Sequence, residues 1–577
     1  MAFLSIFSEV TAPTGLWTWL ILDVFSFIAD YGWRIIFFTF CLKVLLSPID
    51  IYQRYKARKN QLITLKIKPQ MDKLQKMYAN DQKLLAQKQM ELNKKAGISY
   101  FSSCLPAIIT LVIFITLFSL GLQPISQYQN FRQYEQLYDT YTEYTNDALV
   151  EKRYAEKHDE EIAEAIAAET ENKAVLRERV SDELKDEIAQ KAYDAVVNAK
   201  YVEIYADEYA KVYAALSEKT DAYKEKAKKQ LAAEKGQKAY DDNFKDSLSA
   251  YTYDEYCNLS KVERRAILEE AERARTQAIN DFNAKVEAND TATVLEISVL
   301  AEANILKDAE EEVRKTAESA VMEEASKAKA AALAAYDKEA HVAEIEVRTA
   351  AKIIENANQT VRNKAIDVAQ QKVKDVYETE VKMSFLWIKN IWNADTLMAK
   401  PINNLADFKK NIGNYANPGH GVDADKLSDM LNSGKYELVM GKLLNDPEYN
   451  SENGYFILPA LTIILSIAMQ LLSYRQQKES GQMTAQSESS SKIMMFVMPI
   501  MMAFFAFSYT AAFALYLVMS YVVSIAIALI GTLVVKLADR KAAKNMVTEV
   551  QRYGRPDFSD RKNDGAANEN NTNGGKK

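Results

Sequence analysis

The chain has 577 residues, enough for several domains, and its averages of 48% hydrophobic and 26% charged residues would suit a soluble protein. Those averages conceal two materials, because the apolar residues gather at 16–49, 101–123 and 455–535 and most of the charge lies between them, so the net charge of -7 describes no single region. Three cysteines (Cys41, Cys104, Cys257) and three histidines (His158, His341, His420) are too scattered for a zinc site, a redox CxxC, a disulfide framework or another metal centre, and no cofactor is expected.

The opening stretch MAFLSIFSEVTAPTG has neither a basic n-region nor a small-residue cleavage site, and the N-terminus reads as retained. Gly15–Asp30 is apolar but interrupted by Asp23 and closed by Asp30. Fused to the next apolar run it would be too long to cross a bilayer without tilting. Residues 1–30 are therefore expected to form an extracytoplasmic segment whose helix lies in the interface, with Trp17 and Trp19 at headgroup level. A spanning helix needs roughly 20 mostly apolar residues. Five stretches meet that need: 31–50, 100–122, 455–474, 493–509 and 511–535, the last two joined by a tight turn near Ser508–Ala512.

Orientation follows from lysine and arginine. The segment 51–99 carries 12 basic and 3 acidic residues and is expected to be a cytoplasmic helical hairpin. The tail 536–577, with 10 basic and 6 acidic residues, shares that side, and its GAANENNTNGG portion reads as disordered. The loop 475–492 is weakly basic and agrees. What remains, 123–454, holds 45 basic against 64 acidic residues and belongs outside. Five alternating spans then put the N-terminus outside and the C-terminus in the cytoplasm.

Between Ile125 and Lys400 there is no proline and a single glycine, Gly236, while Ala, Glu, Lys and Gln dominate. Tyr, Val, Leu and Ile recur every three or four residues, the pattern of long helices paired along apolar seams. An antiparallel coiled-coil hairpin or three-helix bundle is expected over 123–382, broken near Gly236, Ser249–Ser260 and Ala288–Thr293. It returns to the membrane at Met383–Trp392, and the rest of 383–454 reads as irregular loop with short helices. No phosphate loop or nucleophile motif appears, and the chain is not read as an enzyme.

Within the five spans one deep residue is charged, Lys43; Arg34 lies one turn from the outer end, within reach of headgroups. A lysine at depth costs about 2.5–3.5 kcal/mol on insertion scales. Lys43 lies about 18 Å along the span at 1.5 Å per residue, nearer the cytoplasmic end, so a hydrated groove open to the cytoplasm would accommodate it, as would snorkelling to the inner headgroups with Asp50 two turns away. Thr39 shares its helical face. Thr110, Gln470, Tyr516 and Ser520 are the other candidates for the groove lining.

These residues resemble a known family. YGWRIIFFTFCLKVLLSPID (Tyr31–Asp50) is similar to the first core span of the YidC/Oxa/Alb membrane insertases, and Leu65–Pro106 resembles the family's basic hairpin and its C-L-P entry to the next span. FLWIKN (Phe385–Asn390), Pro459 with Gln470, and KIMMFVMPIMM (Lys492–Met502) extend the resemblance. It implies an all-α polytopic protein: a five-span insertase core, a cytoplasmic hairpin that receives substrates, and a groove with one cation. That cation falls on Lys43, the groove threonine on Thr39, and a groove glutamine position on Thr110. The chain departs from the family in carrying Lys43 where arginine is usual, Thr510-Ala511-Ala512 in place of a P-S-G turn, Leu517 in place of a tyrosine, and a far larger external insertion.

The resemblance implies a membrane protein insertase and chaperone in a bacterial plasma membrane. Its partners would be nascent membrane proteins, the lipid bilayer, a Sec-type translocon and the ribosome, with an unknown partner for the external helices. The alternative is a membrane-anchored structural protein whose external coiled coil binds an envelope partner. A channel or transporter fits less well, since neither an inverted repeat nor a paired ionisable relay is visible.

Overall fold

The structure, a computed structural model, describes residues 10–78, 81–97, 112–479, 497, 499–502 and 504–552. Among the described residues the regular structure is helical, with one isolated bridge pair at Phe385 and Ile388. The chain divides into two compact units, one formed by residues 10–12, 127–382 and 402–450 and the other by the remainder.

The second unit holds the apolar helices. A short helix α1 (Leu16–Trp19) passes through a π-turn (Leu20–Val24) and stops. The chain restarts at Asp30, whose carboxylate accepts the Trp33 N–H and caps α2 (Tyr31–Met77). This helix is continuous for 47 residues, about 70 Å at 1.5 Å per residue, despite Pro48 and Pro69 inside it. The first span and the first arm of the basic hairpin are thus one rod. Asp81 caps the second arm, α3 (Gln82–Lys95), and Gly97 closes it at a positive φ of 78°.

Among the described residues three helices are long and apolar enough to cross a membrane: Tyr31–Tyr52, Ile457–Arg475 and Ala511–Val534, with mean hydropathies of 1.8, 1.9 and 2.4. The first belongs to α2. The others belong to α16 (Ile457–Glu479) and α17 (Ala511–Arg552), and α17 packs against both its neighbours. Of the expected spans, residues 100–111 of 100–122 and residues 493–496, 498 and 503 of 493–509 lie outside the described residues, while 499–502 and 504–508 are helical. In the first of the two, residues 112–117 are helical and run into a π-turn at Phe118–Leu122.

The first unit is built on α4 (Gln123–Tyr144), α5 (Asp147–Glu156), α6 (His158–Glu171), α7 (Lys173–Ser217), α8 (Thr220–Leu248), α9 (Tyr253–Asn258), α10 (Lys261–Glu287), α11 (Thr291–Ala335) and α12 (Val342–Val376), followed by the short α13 (Leu405–Ile412), α14 (Ala424–Met430) and α15 (Ser433–Leu444). It is neither a single hairpin nor a three-helix bundle: eight helices lie between Asp147 and Val376. The breaks at Ser249–Ser260 and Ala288–Thr293 are present, and capping boxes at Thr252/Glu255 and Ser260/Glu263 make the first of them. Gly236 is not a break. It lies inside α8 where a side chain at that position would meet Ile279 of α10 at 2.8 Å, so glycine there permits a close helix crossing. Further breaks come at Asn146, whose side chain caps α5, and at Asp337, whose side chain caps the short turn leading into α12.

Burial in α12 recurs strictly every four residues, at Ile345, Thr349, Ile353, Ala357, Val361, Ala365, Ala369 and Val373. Four residues turn an α-helix about 40° past a full revolution, so over seven steps the buried column winds through about 280°. The partners change accordingly. Ile345 packs with Val180 and Leu184 of α7, Asn356 donates to Glu169 of α6 at 3.1 Å, Arg362 pairs with Glu151 of α5 at 2.9 Å, and Ala369 and Val373 enter the tyrosine-rich core. That core gathers Tyr134, Tyr138, Tyr141 and Tyr144 of α4 with Tyr415, Tyr436 and Tyr449. Helices α7 and α11 run antiparallel, with Tyr193 bonded to Glu318 at 2.8 Å and Tyr213 to Glu302 at 2.5 Å.

Candidate functional site

Each of the three spans carries polar residues at four-residue spacing, which stacks them along one helical face. On α2 they are Thr39, Lys43 and Ser47; on α16 Thr462, Ser466 and Gln470; on α17 Tyr516, Ser520 and Ser524. Thr39 is fully buried and its hydroxyl donates to the Ile35 carbonyl at 2.6 Å. Lys43 is half-buried and feels the charge of Asp50, two turns along. Tyr516 is buried, while Ser520, one turn along, and Gln470 are half-buried. Thr110 lies outside the described residues.

Packing of α17 on both α2 and α16 brings the three helices together. Among the described residues, no hydrogen bond or ion pair joins a predicted site residue on one helix to one on another. Thr462 and Ser466 were missed in the sequence. Both are buried, with hydroxyls donated to the Leu458 and Ile463 carbonyls, and their spacing ahead of Gln470 was the available signal.

Arg34 differs from its expected role. Only 6% exposed, it does not reach outward but donates Nε to the Ile28 carbonyl at 2.8 Å and lies 4.4 Å over the Tyr31 ring. It fastens the turn between the π-helical segment and α2, because a buried guanidinium must be satisfied by nearby acceptors.

At the ends of the spans opposite the hairpin, the loop 383–401 supplies caps that the sequence did not reveal. Carbonyls of Asn393 and Ile391 accept the Ala511 and Ala512 N–H groups at 2.8 and 2.9 Å, satisfying the first turn of α17. Asp395 is fully buried and accepts the Leu458 N–H at 2.7 Å and the Phe456 N–H at 3.2 Å, which places a carboxylate at the positive end of α16. Trp392 packs against Tyr31 at 5.2 Å, and Phe385 fills the space over Gly32, where a Cβ would come within 2.1 Å of its ring. Asn453 ties the loop down through bonds to the Asn390, Ala394 and Ala399 backbone. One short loop therefore fixes the starts of α2, α16 and α17 together.

Residues 23–144 match the model of the 60Kd inner membrane protein family. Similar curated proteins are membrane protein insertases named YidC. That of Leptospira interrogans serovar Lai is 34% identical over 102 residues, covering 18% of this chain and 16% of its own. That of Clostridium tetani is 39% identical over 89 residues, 15% of this chain and 39% of its own, and that of Francisella philomiragia is 28% identical over 122 residues, 21% and 20%. The chain thus spans well under half the length of each of these relatives. No solved structure matches.

Proposed function

We propose that this chain, whose residues 23–144 carry the 60Kd inner membrane protein domain, is a membrane protein insertase and chaperone of a bacterial plasma membrane. The observation that carries the reading is the coincidence of the matched segment with α2, at once a span and the first arm of a basic hairpin, with Lys43 on its polar face. A polar segment crossing hydrocarbon leaves backbone groups unsatisfied at several kcal/mol each. A groove faced by Thr39, Lys43, Thr110, Gln470, Tyr516 and Ser520, open to the cytoplasm, offers water and hydrogen bonds part-way across. Lys43 supplies an attractive charge there for an acidic translocated tail. The substrates are nascent membrane proteins with few spans, received at the basic hairpin and released sideways into lipid; a Sec-type translocon and the ribosome are the proposed neighbours, the latter through the charge of the basic tail. The N-terminus and the acidic unit lie outside and the C-terminus in the cytoplasm, as the lysine and arginine distribution favours.

The test is insertion by purified protein in liposomes of a single-span substrate with a short acidic tail, scored by protease protection. Lys43→Arg retains activity and Lys43→Ala loses most of it. Equal activity of Lys43→Ala and wild type removes the groove charge from the mechanism. Inactive wild type, with folding and orientation verified, favours the alternative of an anchored interaction protein, for which the separate core of the helical unit speaks.

A further inference from the structure

The loop 383–401 fixes the starts of three apolar helices, yet it also turns apolar side chains away from the protein at two places. The first is the two-residue turn between Phe385 and Ile388, closed by reciprocal backbone bonds of 2.9 Å. Leu386 occupies its left-handed position at φ 53° and leaves 69% of its surface exposed. Glycine, asparagine or aspartate takes such a position with least strain, and leucine is disfavoured there. The turn between α10 and α11 follows that preference with Asn289 at φ 53°, whereas Phe456 before α16, at φ 65°, departs from it as Leu386 does. The second place is the turn over 396–399, closed by the Thr396 hydroxyl accepting the Ala399 N–H at 3.1 Å. Its tip consists of Leu397 and Met398, exposed by 64% and 85%.

Folding gains nothing from either tip, since exposed apolar groups and a strained leucine both favour other residues in water. Their level in the molecule supplies the missing partner. The Asn393 carbonyl and the Asp395 carboxylate just before the second tip cap Ala511 and Leu458, in the first turns of α17 and α16, and Phe385 touches Trp33 at 5.6 Å in the first turn of α2. Trp33 is itself 56% exposed, an aromatic on the outer wall of a span at its end, where indole rings prefer the headgroup boundary. The tips therefore continue the apolar wall of the spans at the depth where hydrocarbon gives way to headgroups.

We propose that Leu386, Leu397 and Met398 are lipid anchors, inserted into the leaflet at the end of the spans opposite the hairpin, so that the loop capping α2, α16 and α17 is held by the bilayer as well as by its hydrogen bonds. The occupant is the acyl and glycerol region of lipid. This rests on the reading of α2, α16 and α17 as membrane spans, and the controls separate the two.

The test places single cysteines at Met398, Leu386, Leu45 and Val202 in a background with Cys41, Cys104 and Cys257 replaced by serine. Each is labelled with an environment-sensitive nitrobenzoxadiazole dye in phosphatidylethanolamine/phosphatidylglycerol liposomes. Leu45 is 75% exposed within the span and Val202 75% exposed on α7, so they mark lipid and water. Labels at Met398 and Leu386 are expected to emit blue-shifted light, to be quenched by lipids spin-labelled near the headgroup, and to resist aqueous iodide several-fold better than the label at Val202. Iodide quenching at Met398 equal to that at Val202 overturns the proposal, and protection from both quenchers overturns it in favour of burial against protein. Failure of the Leu45 label to respond to lipid quenchers instead overturns the membrane reading of α2 itself.

Discussion

Single residues decide where this structure is vulnerable, and the most exacting are buried acids. Asp395 accepts two backbone N–H groups at the start of α16, at 2.7 and 3.2 Å. Asp395→Ala leaves the buried Leu458 N–H without a partner, at about 1–3 kcal/mol, and the half-buried Phe456 N–H at less. A clear fall in the thermal midpoint of purified protein in detergent is expected, with Asp395→Asn between it and wild type because the amide oxygen still accepts. A Cβ on Gly454 would come within 1.9 Å of the same carboxylate, so Gly454→Ala should reproduce the loss. Unchanged midpoints would mean that the loop does not hold α16. In the helical unit, Asp139 is pushed up to about 7, first by burial and then by Glu135, against the opposing pull of Lys426 and Arg265. An acid whose folded pKa lies above its unfolded value contributes stability that is complete below the unfolded pKa and lost as pH rises through the folded one. The helical unit should therefore melt at lower temperature at pH 8 than at pH 6, and Asp139→Asn should flatten that slope when followed by circular dichroism. Equal slopes in the two proteins would remove Asp139 as its source. The place of Lys43 on an apolar helix was legible in the sequence because a lone charge stands out in an apolar run. Asp395 was not, since nothing in NAD (Asn393–Asp395) tells a loop aspartate from a buried cap, and the role of Arg34 was hidden because its acceptors are carbonyls that only the fold brings near.

Elements were legible where their signals are local. The continuous helicity of the acidic region follows from its lack of proline and its wealth of alanine, and two of the three expected breaks coincide with capping residues. The third failed because glycine was read as a breaker, whereas in α8 it serves as the absent side chain at a crossing with α10. Gly236→Leu would force the Ile279 and Arg275 side chains of α10 aside, at a cost of about 1–3 kcal/mol for overpacking. The number of helices was missed because Asn146 and Asp337 mark new helical starts by capping alone, without any change in composition, and the starts at His158, Lys173 and Thr220 have no side-chain cap at all. The four-residue column of α12 carries a sharper consequence. A heptad seam would leave Ala357 on one side of a two-helix contact, but the winding column buries it completely at the middle of the helix. Ala357→Leu should therefore destabilise the helical unit by about 1–3 kcal/mol, while Ala350→Leu on the exposed face should be nearly neutral. Similar urea midpoints for the two variants would contradict the winding.

At the scale of the whole molecule, each unit has its own core: tyrosines and aliphatic residues of α4, α12 and α13–α15 in one, and Ile35, Phe38, Trp392 and Phe513 in the other. Separate cores make separate cooperative units, because each core buries its own set of apolar side chains. The long helices of the first unit can then be shortened without touching the second. Thr145 and Ile366 line the same 470 Å³ cleft, so deletion of residues 147–365 with a short Gly-Ser linker joins ends that already lie close together. What remains of that unit keeps Tyr134, Tyr138, Ala369 and Val373 with α13–α15, most of the tyrosine-rich core. The deletion also removes Arg264 and Arg265, the partners of Glu143, whose carboxyl is raised by burial; with α10 gone that side chain meets water, so no unpaired buried charge results. If the polar faces of α2, α16 and α17 do the work, the shortened protein should insert the acidic-tailed substrate into liposomes at a rate close to wild type and remain sensitive to Lys43→Ala. Loss of insertion from a shortened protein that still melts cooperatively would instead put the long helices inside the mechanism, as a receptor for the translocated segment rather than an appendage to the machine.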